Sequence, residues 1–263
     1  MTMQRFVAIG DSMAEGLMDG SGKQGFRGWM DRLAETLAAE YPGLTYANLG
    51  VRGKKSGEVL DEQVGPAIAM RPDLIAVSAG VNDLIHPGFD VATTVRNLTC
   101  IVDRLTGCGA TVIMLGCPHF DRLNPWVLPL AGRFRGFNRT IADLQQQYGV
   151  LVLDLNHEPT AFRRGFWAPD RLHASSLGHE IIAARAARML DLSVGEPAPP
   201  PADGRPGVVE EARWLTGILL PWLRGWRSAG PSPRKPKRSC LTPVVPAAPR
   251  PSASVDNRSE ASR

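Results

Sequence analysis

Phe6-Val7-Ala8-Ile9-Gly10-Asp11-Ser12 is the stretch from which the rest of the chain is read. Its four apolar residues form a run too short for a helix, and the run stops abruptly at Gly10-Asp11-Ser12, as a buried strand does. Open α/β sheets take their ligands just outside the carboxyl ends of parallel strands. Ser12 therefore stands where a nucleophile would be presented. Such a serine requires a base, a group that orients the base, and donors for a developing oxyanion.

Working outward, four more strand-like runs follow at 44–49, 73–78, 111–115 and 150–155, separated by helical patterns at 28–40, 56–70, 90–105, 132–148 and 176–190. In the first of these helices Trp29, Leu33, Leu37 and Tyr41 recur at steps of four, one face of a helix. Strands alternating with helices predict a three-layer α/β/α arrangement around a five-stranded parallel sheet. Right-handed crossovers put all strand ends on one edge. Ser12, Gly53, Asn82 and His173 all follow such ends or lie in loops on that edge. Gly20-Ser21-Gly22-Lys23-Gln24-Gly25 is a formal match to the dinucleotide fingerprint. It falls about ten residues too late after the strand to cradle a pyrophosphate, so no nucleotide cofactor is expected.

Composition divides the chain. Residues 1–195 carry the alternating pattern, and from 196 onward Pro, Arg and Ser accumulate. Residues 196–263 hold 11 Lys/Arg against 6 Asp/Glu, which leaves 19 against 20 in the first part. The basic character thus belongs to the tail, and a nucleic-acid groove in the main domain is not expected. Within the tail, 196–230 reads as a linker with an amphipathic helix at 208–226, on which Val208, Ala212, Leu215, Leu219, Trp222, Leu223 and Trp226 form a stripe. That stripe is expected to dock on the main domain, the alternative being weak peripheral membrane contact through 208–238. Residues 231–263 read as a basic, disordered, dispensable tail. Cys100, Cys108, Cys117 and Cys240 show no metal spacing and read as reduced thiols. With Met1–Phe6 leading straight into a strand and no long apolar run, a cytoplasmic location is expected.

Of the five histidines, His173 is preferred as the base because Asp170 lies three residues before it. At that spacing the carboxylate either accepts a hydrogen bond from the imidazole Nδ1–H or caps the helix that follows. Gly53 lets a backbone N–H approach a ligand closely, and Asn82 offers a side-chain N–H. His179 reads as a packing or hydrogen-bonding residue. Trp126, Leu128 and Trp167 lie in loops on the active edge and are candidates to line a substrate pocket.

Gly10-Asp11-Ser12, Asn48 with Gly53, Gly80-Val81-Asn82-Asp83 and Asp170-Arg171-Leu172-His173, in this order over residues 5–190, resemble the four blocks of the SGNH hydrolase superfamily, the GDSL esterases/lipases. Met13 stands where the family label has Leu. The resemblance implies a flavodoxin-like fold and a serine esterase that hydrolyses carboxylic esters, acetyl or short acyl, through an acyl-enzyme. It further implies a triad of Ser12, Asp170 and His173, an oxyanion hole of Ser12, Gly53 and Asn82, and no metal or cofactor. A small-molecule or lipid ester is the implied substrate. A thioesterase or lysophospholipase of the same fold, or a binding protein that kept the fold without turnover, are the alternatives.

Overall fold

In the computed structural model, which describes residues 3–21, 25–120, 125–202, 207–221 and 235–246, the opening strand is β1 (Arg5–Gly10). The Asp73 carboxylate accepts the N–H groups of Gln4 and Arg5, both at 2.8 Å, and so anchors its start. A short ribbon follows, β2 (Gly20–Ser21) with β3 (Gly25–Phe26). β1 then pairs in parallel with β4 (Thr45–Asn48) on one side and β5 (Leu74–Ser78) on the other. β6 (Thr111–Leu115) and β7 (Leu151–Leu153) continue the sheet beyond β5, also in parallel. Phe6, Val7, Ala8 and Ile9 are fully buried, as a continuous apolar run is when helices cover both faces of a parallel sheet.

The helices form two layers. α1 (Ser12–Glu15) is a single turn after β1. α2 (Trp29–Glu40) packs with α8 (Ser176–Met189). The other layer contains α3 (Ser56–Val59), α4 (Gly65–Ala69), α6 (Val91–Thr106) and α7 (Ala131–Tyr148), with α5 (Val81–Ile85) as a short turn after β5. The helix expected over 56–70 is interrupted by a π-helical stretch, Leu60–Val64. Such wide turns recur at functional sites, and this one aims Gln63 at the end of β1.

The sheet has six strands, not the five expected. β8 (Arg238–Pro243) runs antiparallel to β4, with Tyr46 opposite Thr242 and Asn48 opposite Arg238. These residues fall inside the 231–263 segment read as disordered. The physical reason is the open edge of β4, whose outer N–H and C=O groups need partners. A short, polar strand ending in Pro suits an edge and looks like linker in composition. The Arg238 guanidinium lies 5.3 Å from the Tyr46 ring centre.

The tail helix lies against the main domain through residues off the expected stripe. α9 (Val208–Trp214) runs into a π-helical stretch, Leu215–Leu219. Its buried residue is Trp214, 6% exposed, whereas Ala212 of the expected stripe is exposed. Glu211, one turn earlier, ion-pairs with Arg164 and Arg171 of the main domain. The side chains of Val208 and Leu219, and all of Trp222, Leu223 and Trp226, lie outside the described residues. No helix among the described residues is long and apolar enough to cross a membrane.

Candidate active site

β1 ends on a glycine because only a glycine fits there. Gly10 has φ +135°, and a Cβ on it would lie 1.9 Å from the Ser78 carbonyl oxygen. Gln63 closes the strand end from the α3–α4 side: Gly10 N–H donates to Oε1 at 2.6 Å, and Nε2 donates to Gly10 O at 3.0 Å. The chain then turns into α1, with Asp11 as N-cap accepting the Met13 N–H at 3.0 Å. Ser12 is the first residue of this turn, so its N–H has no intrahelical acceptor. Among the described residues it makes no other backbone hydrogen bond.

The loop before α8 delivers His173. Trp167 bridges to Ala174, and Ala168 N–H donates to His173 O at 2.8 Å, closing the segment into a tight turn. Asp170 does both things its spacing allowed. Oδ1 accepts the N–H groups of Leu172 and His173, each at 3.0 Å, while Oδ2 lies 2.7 Å from His173 Nδ1. The other ring nitrogen, Nε2, lies 2.8 Å from Ser12 Oγ. Burial acts to raise the Asp170 pKa, but the His173 ring and the two amides outweigh it and hold the carboxyl below its ordinary value. A carboxylate so held stays charged and fixes the imidazole tautomer.

A family model of GDSL-like lipases and acylhydrolases matches residues 8–181. The chain belongs to the GDSL-like lipase/acylhydrolase family. It is therefore an ester-hydrolysing enzyme. Solved structures with a similar fold include the acetylxylan esterase Axe2 from Geobacillus stearothermophilus, at 20% identity and a TM-score of 0.60, covering 73% of this chain and 98% of that one. An α/β-hydrolase enzyme from the metagenome of Lake Arreo, Spain, has 19% identity and a TM-score of 0.60 over 73% of this chain and 97% of that one. The esterase EstA from Pseudoalteromonas sp. has 18% identity and a TM-score of 0.57 over 72% and 97%. No sequence among the curated proteins matches the chain.

In this acylhydrolase the other candidate residues gather around Ser12 to different degrees. Asn82, at the start of α5, donates through Nδ2 to Lys54 O at 2.9 Å and approaches Asp11 Oδ2 at 3.5 Å. It thereby ties the end of β5 to the loop of Gly53. Gly53 has φ +83°, and space for a Cβ is open around it; like Ser12, its N–H makes no backbone hydrogen bond among the described residues. Asn48, fully buried, accepts the Gly50 N–H at 2.9 Å and donates to Ala14 O at 2.8 Å, so it shapes that loop.

Beside Ser12, Asn82 and His173 opens a pocket of about 50 Å³. Its apolar wall is made by Val81, Leu115, Phe120, Leu155, Trp167 and Leu172. Trp167 is held in this wall by its Nε1–H, which donates to Ala161 O at 2.8 Å. Leu128 is 61% exposed and does not line this pocket; the Trp126 side chain lies outside the described residues. Cys117 also lines the wall, and burial pushes its thiol well up, which makes it an inert surface. Among the described residues, no three His, Cys, Asp or Glu side chains cluster as metal ligands do.

His179 is fully buried and structural. Its Nδ1 accepts the Trp29 N–H at 3.1 Å, at the start of α2, where Gly28 offers no cap of its own. Nε2 then carries the proton and lies 3.1 Å from Leu17 O. Burial lowers its pKa to about 4.

Two groups beside Ser12 escaped the sequence reading. Asp11 is 2% exposed, and burial raises its pKa to about 6 despite bonds from Met13 and Ser78. Its position beside Ser12 was the available signal. Gln63 had none, because a glutamine on a helix reads as a solvent-facing residue.

Proposed function

We propose that the protein is a serine esterase that cleaves acetyl and other short-acyl carboxylic esters through an acyl-enzyme, without metal or cofactor. The observation that carries this reading is the chain Ser12 Oγ–His173 Nε2 at 2.8 Å and His173 Nδ1–Asp170 Oδ2 at 2.7 Å. Ser12 Oγ attacks the ester carbonyl while His173 Nε2 takes its proton, and Asp170 stabilises the imidazolium so formed. The carbonyl oxygen becomes an oxyanion that accepts from the Ser12 and Gly53 N–H groups and from Asn82 Nδ2. Collapse breaks the bond to the alcohol oxygen, to which His173 returns the proton. Water then repeats the sequence: His173 takes its proton, the hydroxyl oxygen bonds to the acyl carbon, and Ser12 leaves with the proton restored.

The pocket supports the acyl preference. Its space of about 50 Å³ equals about four water-sized volumes, enough for an acetyl or propionyl group. The intact hydrogen-bonded chain also argues against a binding protein without turnover.

A fluorophosphonate should label the wild-type chain on Ser12, and Ser12→Ala should lose both label and hydrolysis of p-nitrophenyl acetate. Across esters from acetyl to decanoyl, and the matching thioester and a lysolipid, kcat/KM should peak at two or three acyl carbons. Label on another serine overturns the mechanism, and a peak at long acyl chains overturns the substrate class.

A further inference from the structure

Lys237, immediately before β8, reaches from the tail to the segment that follows Ser12. Its ammonium lies 2.6 Å from Glu15 O, 2.8 Å from Phe26 O and 2.5 Å from Asp31 Oδ2. An ammonium has three N–H donors, and each has an acceptor here. The three acceptors belong to three elements: Glu15 closes α1, Phe26 ends β3, and Asp31 stands in the first turn of α2.

The connection continues inward. The Glu15 carboxylate accepts the backbone N–H of Arg52 at 2.9 Å and holds its guanidinium with Nε at 2.8 Å and Nη2 at 2.5 Å. That guanidinium also covers the Phe26 ring, 4.7 Å from its centre. Arg52 directly precedes Gly53. Bidentate Arg–carboxylate pairs fix orientation as well as distance, so Glu15 couples the turn that begins at Ser12 to the loop that ends at Gly53. Burial raises the Asp31 carboxyl above its ordinary value, and Lys237, with Arg238 beside it, acts against this.

We propose that Lys237 is a positioning residue for ester hydrolysis: its ammonium pins α1 and, through Glu15 and Arg52, keeps the Ser12 and Gly53 backbone donors in register. This rests on the reading of Ser12 and Gly53 as oxyanion donors. The tail segment then supports the catalytic apparatus, although no described residue of it lines the pocket beside Ser12. A lysine that merely anchored β8 would affect stability alone. The positioning role predicts instead a loss in the chemical step, because oxyanion donors act mainly in the transition state.

The test uses the full chain with Lys237→Met and Lys237→Arg, assayed on p-nitrophenyl acetate well below the melting temperature. In Lys237→Met, kcat should fall by up to about 10²-fold, the cost of a misplacement near 1 Å, with KM within about twofold. Lys237→Arg, which keeps the cation, should recover most of the loss. Hydrogen exchange gives a readout independent of turnover: amides at 12–16 and 51–54 should exchange faster in Lys237→Met, with those of β5 and β6 unchanged. A lower melting temperature with unchanged kcat, a change confined to KM, or unchanged exchange at 51–54 overturns the proposal. Should Ser12→Ala remain active, the reading of Ser12 falls separately. Exchange at 51–54 then decides whether the pin exists.

Discussion

Arg171 Nη1 donates to Glu211 Oε2 at 2.8 Å, joining the turn between Asp170 and His173 to a helix 40 residues further along the chain. The same guanidinium lies 4.5 Å from the centre of the Trp214 ring. Arg171 itself has φ +58°, a left-handed conformation that costs a non-glycine residue of order 1 kcal/mol. The packing of α9 helps to hold that conformation. Trp214→Ala should therefore loosen the turn, and trypsin should cut after Arg164 and Arg171 faster than in the wild type. Glu211→Gln should lower the melting temperature in dilute buffer and much less in 1 M salt, where ion pairs are screened. Equal trypsin rates for Trp214→Ala and wild type would show that the helix does not brace the turn.

Asp170 serves two partners with two oxygens, and substitutions separate them. Asp170→Asn keeps an acceptor for the Leu172 and His173 amides, so the turn should survive while kcat drops about 10⁴-fold through the wrong histidine tautomer. Asp170→Ala should lose the same activity and about 1 kcal/mol of stability as well. Urea titrations of both variants check the difference.

For Asn82, Asn82→Ala should lower kcat by about 10²–10³-fold with KM little changed. An increase in KM alone would make it a ground-state contact. Its bond to Lys54 O adds a second expectation: in this variant the 51–54 amides should exchange modestly faster.

Two buried groups give stability opposite pH dependences in the same window. Asp11 has a folded pKa of about 6 against an ordinary 3.8, so the folded state binds the proton more tightly. Stability from this group is then full below pH 4 and falls by about 3 kcal/mol as pH rises through 6. His179 is lowered to about 4, so its contribution is full above pH 6.5 and is lost as pH falls through 4. In the wild type the two largely offset each other between pH 4 and 6. Asp11→Asn should unmask a loss of stability on acidification, and His179→Gln a gain. Chemical denaturation at pH 4.5, 6 and 7.5 measures both, and flat profiles in both variants would refute the assignment.

How much of this was legible in the sequence depended on how local each signal is. Phe6–Ser12 and Asp170–His173 each carry their geometry within seven residues or fewer, so the strand, the place of Ser12 at its end and the two hydrogen-bonding options of Asp170 could be read directly. Gln63 could not, because its partner is Gly10 across 53 residues and its orientation depends on a π-helical stretch without a sequence signature. β8 was hidden by its own chemistry: Arg238-Ser239-Cys240-Leu241-Thr242-Pro243 has no alternation strong enough to stand out from a Pro- and Arg-rich tail. On α9 the buried side chain among the described ones, Trp214, lies off the periodic stripe, of which Ala212 is exposed and Leu215 half-buried. Its partner Arg171 lies too far along the chain for a local pattern to reveal the contact.

The pairing of β8 with β4 has a consequence for how the enzyme is made. Thr242 meets Tyr46 across 196 residues, so the ribosome needs roughly 10–40 s after β4 emerges before its partner is synthesised. Through that interval the nascent chain can assemble five parallel strands but carries a bare edge. A bare edge is where a neighbouring nascent chain on the same message can add a strand of its own. Among the described strands β8 is the last to be translated, and β4 is covered only when residue 243 has left the exit tunnel.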